Sequence, residues 1–359
     1  MAAKRRIIPF FIPHAGCEHE CVFCDQRLLS GAPEPVSAED VRVTLREYEE
    51  NDRGYKDSAV LSDSGEVDCQ PPEIAFYGGS FTAIPVAAQN ELLEAASFYL
   101  RREPRSKIRI STRPDCIDAK ILERLFGYGV ATVELGAQSM CDDVLTLSKR
   151  GHSADDVVRA ARLVKEAGMS LILQMMTGLP GDTPEKSLYT ARRFVDIGPD
   201  GVRIYPTVVV RGTRLHEMWK NGDYREHTIE EAVSLCADIC RIFEYAEIPV
   251  IRLGLNPSQE LTSGGAVAGA YHPSLGELVR SRMYFDKAAL MLEAVRPGSD
   301  ITLTVAKGSI SKMTGNRRCN TDELKRRFSL RSLRVTEEDI KHGELIVSIN
   351  GNAKKEPKL

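Results

Sequence analysis

The sequence lacks the features of an exported or membrane-embedded protein. Its 359 residues include no secretory signal and no apolar run of the roughly 18 residues that a membrane-spanning helix needs. The nine cysteines are an odd number, which is unlike a disulfide scaffold and favours a reducing compartment. We therefore expect a cytoplasmic protein without a membrane partner.

A strong net charge is also missing. Lysine and arginine number 48 against 51 acidic residues, so the formal net charge is −3 and does not indicate a nucleic-acid partner by itself. Any such partner must bind a local basic patch. The length allows one large barrel domain with a small appendage, or two to three average domains.

A second C-x-x-C pair, which would complete a four-cysteine site, is absent as well. The sequence does contain a C-x-x-x-C-x-x-C run directly after the apolar stretch Ile7 to Ile12, formed by Cys17, Cys21 and Cys24. Thiolates at this spacing can hold one iron–sulfur cluster from a single loop. Because cubane clusters usually have four cysteine ligands, three would leave one iron open to a substrate or cofactor.

A structural zinc site is the alternative for this cysteine triad (Cys17, Cys21 and Cys24). Zinc prefers four closed ligands, so His14, His19 or a distant cysteine would have to complete the set. Cys236 and Cys240 are four residues apart, which predicts that they share one helix face and pack against a core. These two residues and Cys319 do not have the spacing of a second cluster, so we predict a single one.

Short apolar segments alternate with helical ones from residue 7 to about residue 255, which is typical of βα units around a parallel sheet. Ser153 and Thr183 are predicted helix N-caps. The pattern predicts an α/β fold, a partial (β/α)6 barrel over residues 1–270 with a polar surface insertion at 51–72. The strand candidates are Ile7 to Ile12, Glu73 to Tyr77, Ile108 to Thr112, Thr132 to Ala137, Ser170 to Met176 and Val202 to Val209.

After the barrel we predict a connecting helix at 271–297, a small basic α+β domain at 298–350 and a flexible tail at 351–359. Residues 307–334 hold nine basic and two acidic side chains, a local charge of +7 that can neutralise phosphates. The order strand, short helix, Gly-Asn-Arg-Arg, helix, strand resembles the K-homology fold, whose G-x-x-G loop clamps a nucleic-acid backbone. In this sequence Arg318 replaces the second glycine. The alternative is a solvated basic helix. The predicted RNA-binding residues are Lys312, Arg317, Arg318, Lys325, Arg326 and Arg327.

Polar residues at the strand ends are the strongest candidates for a functional site, because the carboxyl ends of parallel barrel strands face the active site. Gly78 and Gly79 follow the second strand and allow backbone to approach a ligand closely, although Gly-Gly is equally common in plain turns. Arg113 can contact an anion or simply pair with Asp115. Gln138 ends the fourth strand and can contact a ligand or remain a hydrogen-bonded strand-end amide.

The triad, with Phe23 just before its last cysteine, resembles the radical S-adenosylmethionine (SAM) superfamily. This resemblance implies one 4Fe–4S cluster on the triad, SAM on its open iron, reductive cleavage to a 5'-deoxyadenosyl radical, and a flavodoxin-type or ferredoxin-type electron donor. Ser80 stands where the family's G-G-E motif has its acid. The residues that the resemblance places at the SAM site are Phe23, Gly78, Gly79, Ser80, Ser111, Thr112, Arg113, Gln138, Arg150 and Gln174.

Within that superfamily, the segment from Ile7 to Trp219 is most similar to the radical domain of the elongator catalytic subunit, as in bacterial elongator-like proteins without an acetyltransferase domain. It is more distantly similar to oxygen-independent coproporphyrinogen oxidases. The resemblance implies modification of RNA, with tRNA as the partner. One alternative is a radical SAM enzyme acting on a porphyrin or other small metabolite; another is a non-catalytic iron–sulfur protein that binds RNA or senses redox state.

Overall fold

The computed structural model describes residues 6–13, 17, 21–30, 34–58, 71–349 and 352–355. The strands are β1 Ile7–Phe11, β2 Glu73–Tyr77, β3 Lys107–Thr112, β4 Val130–Gln138, β5 Ser170–Thr177, β6 Gly201–Pro206, β7 Val208–Val210, β8 Val250–Leu253, β9 Ala266–Gly269, β10 Asp300–Ala306, β11 Ser332–Glu338, β12 Leu345–Ile349 and β13 Asn352–Lys355. The helices are α1 Gln26–Ser30, α2 Ala38–Ser58, α3 Val86–Leu100, α4 Ala119–Gly127, α5 Asp142–Leu147, α6 Ala154–Glu166, α7 Pro184–Ile197, α8 Arg214–Asn221, α9 Ile229–Tyr245, α10 Leu275–Leu292, α11 Ile310–Thr314 and α12 Cys319–Arg327.

The first compact unit, residues 1–228 and 242–271, contains a curled parallel sheet in the order β1-β2-β3-β4-β5-β6-β8. The six predicted strands are confirmed, but the sheet has a seventh strand, β8, that the apolar pattern did not predict. This strand is a four-residue edge strand that contains Arg252. The predicted strand Val202 to Val209 is broken, because Pro206 lacks an N–H and ends β6. β7 pairs instead with β9 in a separate two-stranded sheet.

The two faces of the main sheet differ in burial. On β3, Ile108 and Ile110 are fully buried under the helices, whereas the alternate residues Arg109 and Ser111 are half-buried. β6 alternates in the same way, with Val202 and Ile204 on its buried face. Because successive side chains in a strand point to opposite faces, the half-buried set lines the inner, concave face. That inner face is therefore polar and less deeply buried than the opposite face.

Helix α6 begins as predicted, at Ser153. The Ser153 hydroxyl accepts from the Asp156 backbone N–H, and the Asp156 carboxylate accepts from the Ser153 N–H, which completes a capping box. These bonds, together with Arg159, lower the pKa of Asp156 to about 2. Thr183 caps α7, and Pro184 occupies the first helical position, as predicted.

We predict that Asp156→Ala lowers the free energy of unfolding by about 1 kcal/mol near neutral pH, since it removes half of this capping box. The folded pKa is depressed, so the stabilisation is present above the unfolded-state value of about 4 and disappears as the pH falls toward about 2. Urea unfolding of wild type and variant across that range measures the difference. The neighbouring Asp155→Ala is the control and should change stability by less than about 0.5 kcal/mol. A pH-independent deficit in Asp156→Ala would contradict the assignment.

The predicted surface insertion at 51–72 is partly wrong. Residues 51–58 continue α2, which ends at Ser58. Residues 59–70 lie outside the described part of the chain. None of the described helices is both long and apolar enough to cross a membrane.

The second compact unit comprises residues 229–241 and 272–359 and contains a four-stranded sheet in the order β11-β10-β12-β13. The helix predicted as a connector at 271–297 is instead part of this unit's core, because α10 buries Tyr284, Ala288 and Leu292 against residues of β10 and β12. The predicted tail is corrected as well, since Asn352–Lys355 pairs with β12 as β13. Residues 351 and 356–359 lie outside the described residues.

Candidate functional site

The loop that carries the cysteine triad is held against the carboxyl ends of the sheet. Val22 donates its N–H to the Ser148 carbonyl at 3.2 Å and accepts at its own carbonyl from the Leu215 N–H at 2.7 Å. Phe23, predicted at the SAM site, is 8% exposed and packs in an apolar cluster with Leu179. Cys21 and Cys24 pack against the same cluster, which restricts the positions of their sulfur atoms.

Arg150 joins the triad to the end of β4. Its Nη1 donates to Cys21 Sγ at 3.1 Å, and its Nη2 donates to the Gly136 carbonyl at 2.7 Å. A Cβ on Gly136 would lie only 3.0 Å from Gln138 Nε2, so a glycine at this position leaves room for the Gln138 amide. Gln26 Nε2 donates to Cys24 Sγ at 3.2 Å. Two of the three sulfur atoms therefore accept hydrogen bonds, which stabilise thiolates.

Burial disfavours a free thiolate at Cys24. Burial, and then the charge of Cys21, raises the pKa of the Cys24 thiol to about 12, so a cation must displace the proton before this sulfur can be a ligand. Among the described residues, no three His, Cys, Asp or Glu side chains converge on one point, as a single zinc ion requires. The cysteines of a cubane bind different irons and need no such convergence. His14 and His19 lie outside the described residues.

The strand-end residues after β2 and β3 are bonded to one another. Ser80 is 1% exposed; its Oγ lies 2.9 Å from Thr112 Oγ1 and accepts from the Arg113 N–H at 3.3 Å. The residue that replaces the family's acid therefore connects two strand ends. Gly78 has φ +98°, a conformation that favours glycine, and a Cβ there would lie 3.6 Å from the Ile12 backbone N. Gly79 follows in the same turn and is half-buried.

Arg113 forms the loop ion pair that the sequence left open. Its Nε and Nη2 donate to the two Asp115 carboxylate oxygens at 3.0 and 2.8 Å. Any ligand carboxylate that used Arg113 would have to share its guanidinium with Asp115.

Gln138 and Gln174 lie together at the ends of β4 and β5. Gln174 Nε2 donates to Gln138 Oε1 at 3.3 Å. Gln138 has a left-handed φ of 66°, at a register shift between Gly136 and Gln138. Such a conformation is costly for a residue with a side chain and is concentrated at functional sites. The structure thus brings Gln138, Gln174 and Arg150 to the same edge of the sheet as the triad.

Sequence reasoning missed four charged residues of the inner face: Glu73, Arg109, Glu134 and Arg203, here called the inner-face network. Arg109 bridges Glu73 and Glu134, with 2.6 Å to each, and Arg203 Nη2 lies 2.7 Å from Glu134. Ser111, predicted at the SAM site, donates to Glu134 at 3.3 Å instead. The available signal was a charged residue at alternate positions of otherwise apolar strands, which identifies a second, polar face.

The predicted RNA-binding residues lie on the helix–loop–helix between β10 and β11. Arg317 and Arg318 are exposed and left-handed, with φ of 49° and 65°. Asn320 Nδ2 anchors the loop by donating to the carbonyls of Lys312 at 3.4 Å and Met313 at 3.2 Å. Of the other predicted residues, Lys325 is exposed, Arg326 pairs with Glu323, and Arg327 lies over the Phe328 ring.

Two family models match the chain. The model of the radical SAM superfamily matches residues 11–194, just over half of the chain, and the model of the Radical_SAM C-terminal domain matches residues 199–284. The first range includes the triad and β2 to β5.

Curated relatives match between half and two thirds of the chain. A tRNA uridine(34) acetyltransferase of Methanocaldococcus infernus is 33% identical over 195 residues, 52% of this chain and 34% of the relative. One of Dehalococcoides mccartyi is 30% identical over 247 residues, 62% of this chain and 53% of the relative. The matched segments thus span between a third and just over half of these relatives. The solved Elp3 of M. infernus has a TM-score of 0.59 at 20% identity, over 98% of this chain and 77% of that one, and shows the same fold.

Proposed function

The chain belongs to the radical SAM superfamily, and on this basis we propose that it is a radical SAM enzyme that modifies RNA. One 4Fe–4S cluster held by the cysteine triad, with SAM at its open iron, would supply a 5'-deoxyadenosyl radical by reductive cleavage of SAM. An electron donor of the flavodoxin or ferredoxin type would deliver the electron.

The observation that carries this proposal is the position of Arg150. Its guanidinium contacts Cys21 Sγ and the Gly136 carbonyl at once, so the triad is joined to the strand end that carries Gln138. Arg150 would hold the Cys21 thiolate in place and add positive charge beside it. Because Arg150 is 7% exposed, this charge is little screened by solvent.

The other strand-end residues would bind and orient SAM. Gly78 and Gly79 expose backbone next to the triad loop, and Gln138 and Gln174 present amides that can bond ribose hydroxyls. Ser80 would act indirectly, since its hydroxyl holds the ends of β2 and β3 together. These groups would fix the geometry of the ligand before the reaction.

The test is anaerobic reconstitution with iron and sulfide, reduction with dithionite, addition of SAM and chromatography for 5'-deoxyadenosine. The proposal expects a brown protein that contains iron and sulfide and forms this product. An intact cluster without 5'-deoxyadenosine would refute the catalytic part of the proposal.

Two features support RNA, and tRNA in particular, as the substrate. Relatives named tRNA uridine(34) acetyltransferase are 33% and 30% identical to this chain, over 52% and 62% of it. Residues 307–334 carry a local charge of +7, and Arg317 and Arg318 of this stretch are exposed on an anchored loop. Exposed guanidinium groups bind phosphates of a nucleic-acid backbone and release counterions.

We predict that the double variant Arg317→Glu/Arg318→Glu binds tRNA about tenfold or more weakly at about 0.1 M salt, because phosphate contacts dominate such affinities. The slope of log affinity against log salt should become shallower by about two. Mobility shift or fluorescence titration over several salt concentrations measures both quantities.

The control for this pair is Arg162→Glu/Arg193→Glu, which reverses the same number of exposed charges on α6 and α7. The control should bind tRNA as the wild type does. Equal weakening in the two double variants would show that only net charge matters and would contradict a specific basic surface.

A further inference from the structure

The inner face of the main sheet is a polar surface that the cluster and SAM assignments do not use. Ser111, Arg203 and Tyr205 are half-buried on it, whereas their neighbours on the opposite face are fully buried under helices. Tyr77 is also half-buried and directly precedes Gly78. Solvent, and therefore a small ligand group, reaches these side chains from the concave side.

The two carboxylates of this face, Glu134 and Glu73, already accept hydrogen bonds from neighbouring side chains. Glu134 accepts from Arg109, Arg203 and Ser111, at 2.6, 2.7 and 3.3 Å. Glu73 accepts from Arg109 at 2.6 Å and from Thr132 at 3.0 Å. These carboxylate oxygens therefore bond within the inner-face network, and a ligand on this face would contact other side chains.

Two phenols, Tyr77 and Tyr205, also lie on this face, and the Arg203 guanidinium determines the direction of their hydrogen bonds. Arg203 Nη2 lies 3.0 Å from Tyr77 Oη, and Arg203 Nη1 lies 3.4 Å from Tyr205 Oη. A guanidinium has no acceptor, so each phenol oxygen must accept from it and has its own proton left to donate elsewhere. Burial, and then the Glu134 charge, raises the pKa of Tyr77, so this phenol keeps its proton at neutral pH.

The two phenol oxygens are bound to the two ends of one guanidinium, so both phenols present their protons beside Arg203. The Arg203 guanidinium also lies over the Tyr77 ring, 5.2 Å from its centroid, which fixes the ring. Arg203 is the register partner of Gln174, and Gln174 bonds to Gln138. The donor pair therefore lies next to the strand ends to which SAM binding is assigned.

We propose that Tyr77 and Tyr205 are specificity-determining residues that donate hydrogen bonds to a carbonyl oxygen of the substrate. This inference rests on the proposed function, since it assigns a substrate contact to the same barrel. If the substrate had an amino group in place of the carbonyl, the two phenol donors would face another donor and stay unpaired. The site therefore discriminates between a carbonyl and an amino group. Among nucleobases, this chemistry selects uracil, with its carbonyl at C4, over cytosine, which has an amino group there.

Hexauridylate and hexacytidylate are the probes, because they carry the same backbone charge and differ at this position of every base. Their affinities for the reconstituted protein with SAM can be measured by fluorescence anisotropy without turnover. We expect the wild type to bind hexauridylate about tenfold more tightly than hexacytidylate. In Tyr77→Phe and Tyr205→Phe the ratio should fall to within about twofold, through weaker binding of hexauridylate alone.

Tyr245→Phe is the matched control, since Tyr245 is 86% exposed and its variant should keep the wild-type ratio. Melting temperatures of all three variants report any general loss of structure, which would weaken both probes equally. A wild-type ratio near one, or a ratio that survives in both Tyr77→Phe and Tyr205→Phe, overturns the inference. Formation of 5'-deoxyadenosine by the same preparation tests the proposed function separately, so the two can fail independently.

Discussion

Cys21→Ser is expected to remove most of the bound iron and sulfide from the reconstituted protein and to abolish 5'-deoxyadenosine formation. A serine oxygen is a poor ligand for iron–sulfur iron, and this variant also removes the sulfur that Arg150 contacts. The loss should exceed the ~10–100-fold that removal of a supporting partner typically costs at a metal site. Iron and sulfide assays, the visible absorption of the cluster and chromatography of SAM products measure it.

Arg150→Met provides a graded comparison with this cysteine variant. It keeps the thiol but removes the hydrogen bonds to Cys21 and to the Gly136 carbonyl, so activity should fall by about 10–100-fold while part of the iron is retained. Cys319→Ser is the control, because Cys319 is an exposed cysteine of the second unit. If Cys21→Ser keeps its full iron content and product formation, the triad is not the cluster site.

Glu134→Gln is expected to destabilise the first unit by about 3–5 kcal/mol. Glu134 is 3% exposed and neutralises two guanidinium groups, Arg109 and Arg203, that are themselves only 12% and 13% exposed. Glutamine has nearly the same shape but no charge, so Arg109 would keep only Glu73 and Arg203 would lose the carboxylate with which it pairs. Urea unfolding of the protein without added iron, followed by circular dichroism, measures the change.

Two further variants isolate the cause. Glu166→Gln removes a carboxylate from an exposed pair with Arg162 and should change stability by less than about 0.5 kcal/mol. Arg203→Met combined with Glu134→Gln should recover part of the loss, because it removes one of the cations that were left without a partner. A cost below about 1 kcal/mol for Glu134→Gln alone would show that solvent reaches the network and screens it.

Much of the fold and part of the candidate site were predictable because their signals are local. The triad is recognised from the spacing of three cysteines within eight residues. Ser153 and Thr183 cap their helices through hydrogen bonds to residues three positions later. The six predicted strands are confirmed, the last one only as far as Pro206, since each has its own apolar run. The missed strand β8 has four residues, one of them Arg252, and so lacks a run long enough to recognise.

The role of Ser80 required the folded chain. The sequence leaves the role of this serine open, and only the structure shows that its hydroxyl bonds to Thr112, 32 residues away. The helix at Leu275–Leu292 is a similar case. Its length and caps predict a helix, but only the packing of Tyr284, Ala288 and Leu292 shows that it belongs to the second unit's core.

The amino-acid sequence by itself determined the triad, the alternation of strands and helices and the basic stretch of the second unit, because each depends on neighbours along the chain. Only the tertiary structure decided the inner-face network, since Arg109 meets Glu73 across 36 residues and Arg203 meets Glu134 across 69. Pairing between distant strands depends on sheet order and register, and the pattern of any one strand contains neither. The hydrogen-bond donors of Tyr77 and Tyr205 can be recognised only in the folded chain, where Arg203 bonds to both phenol oxygens.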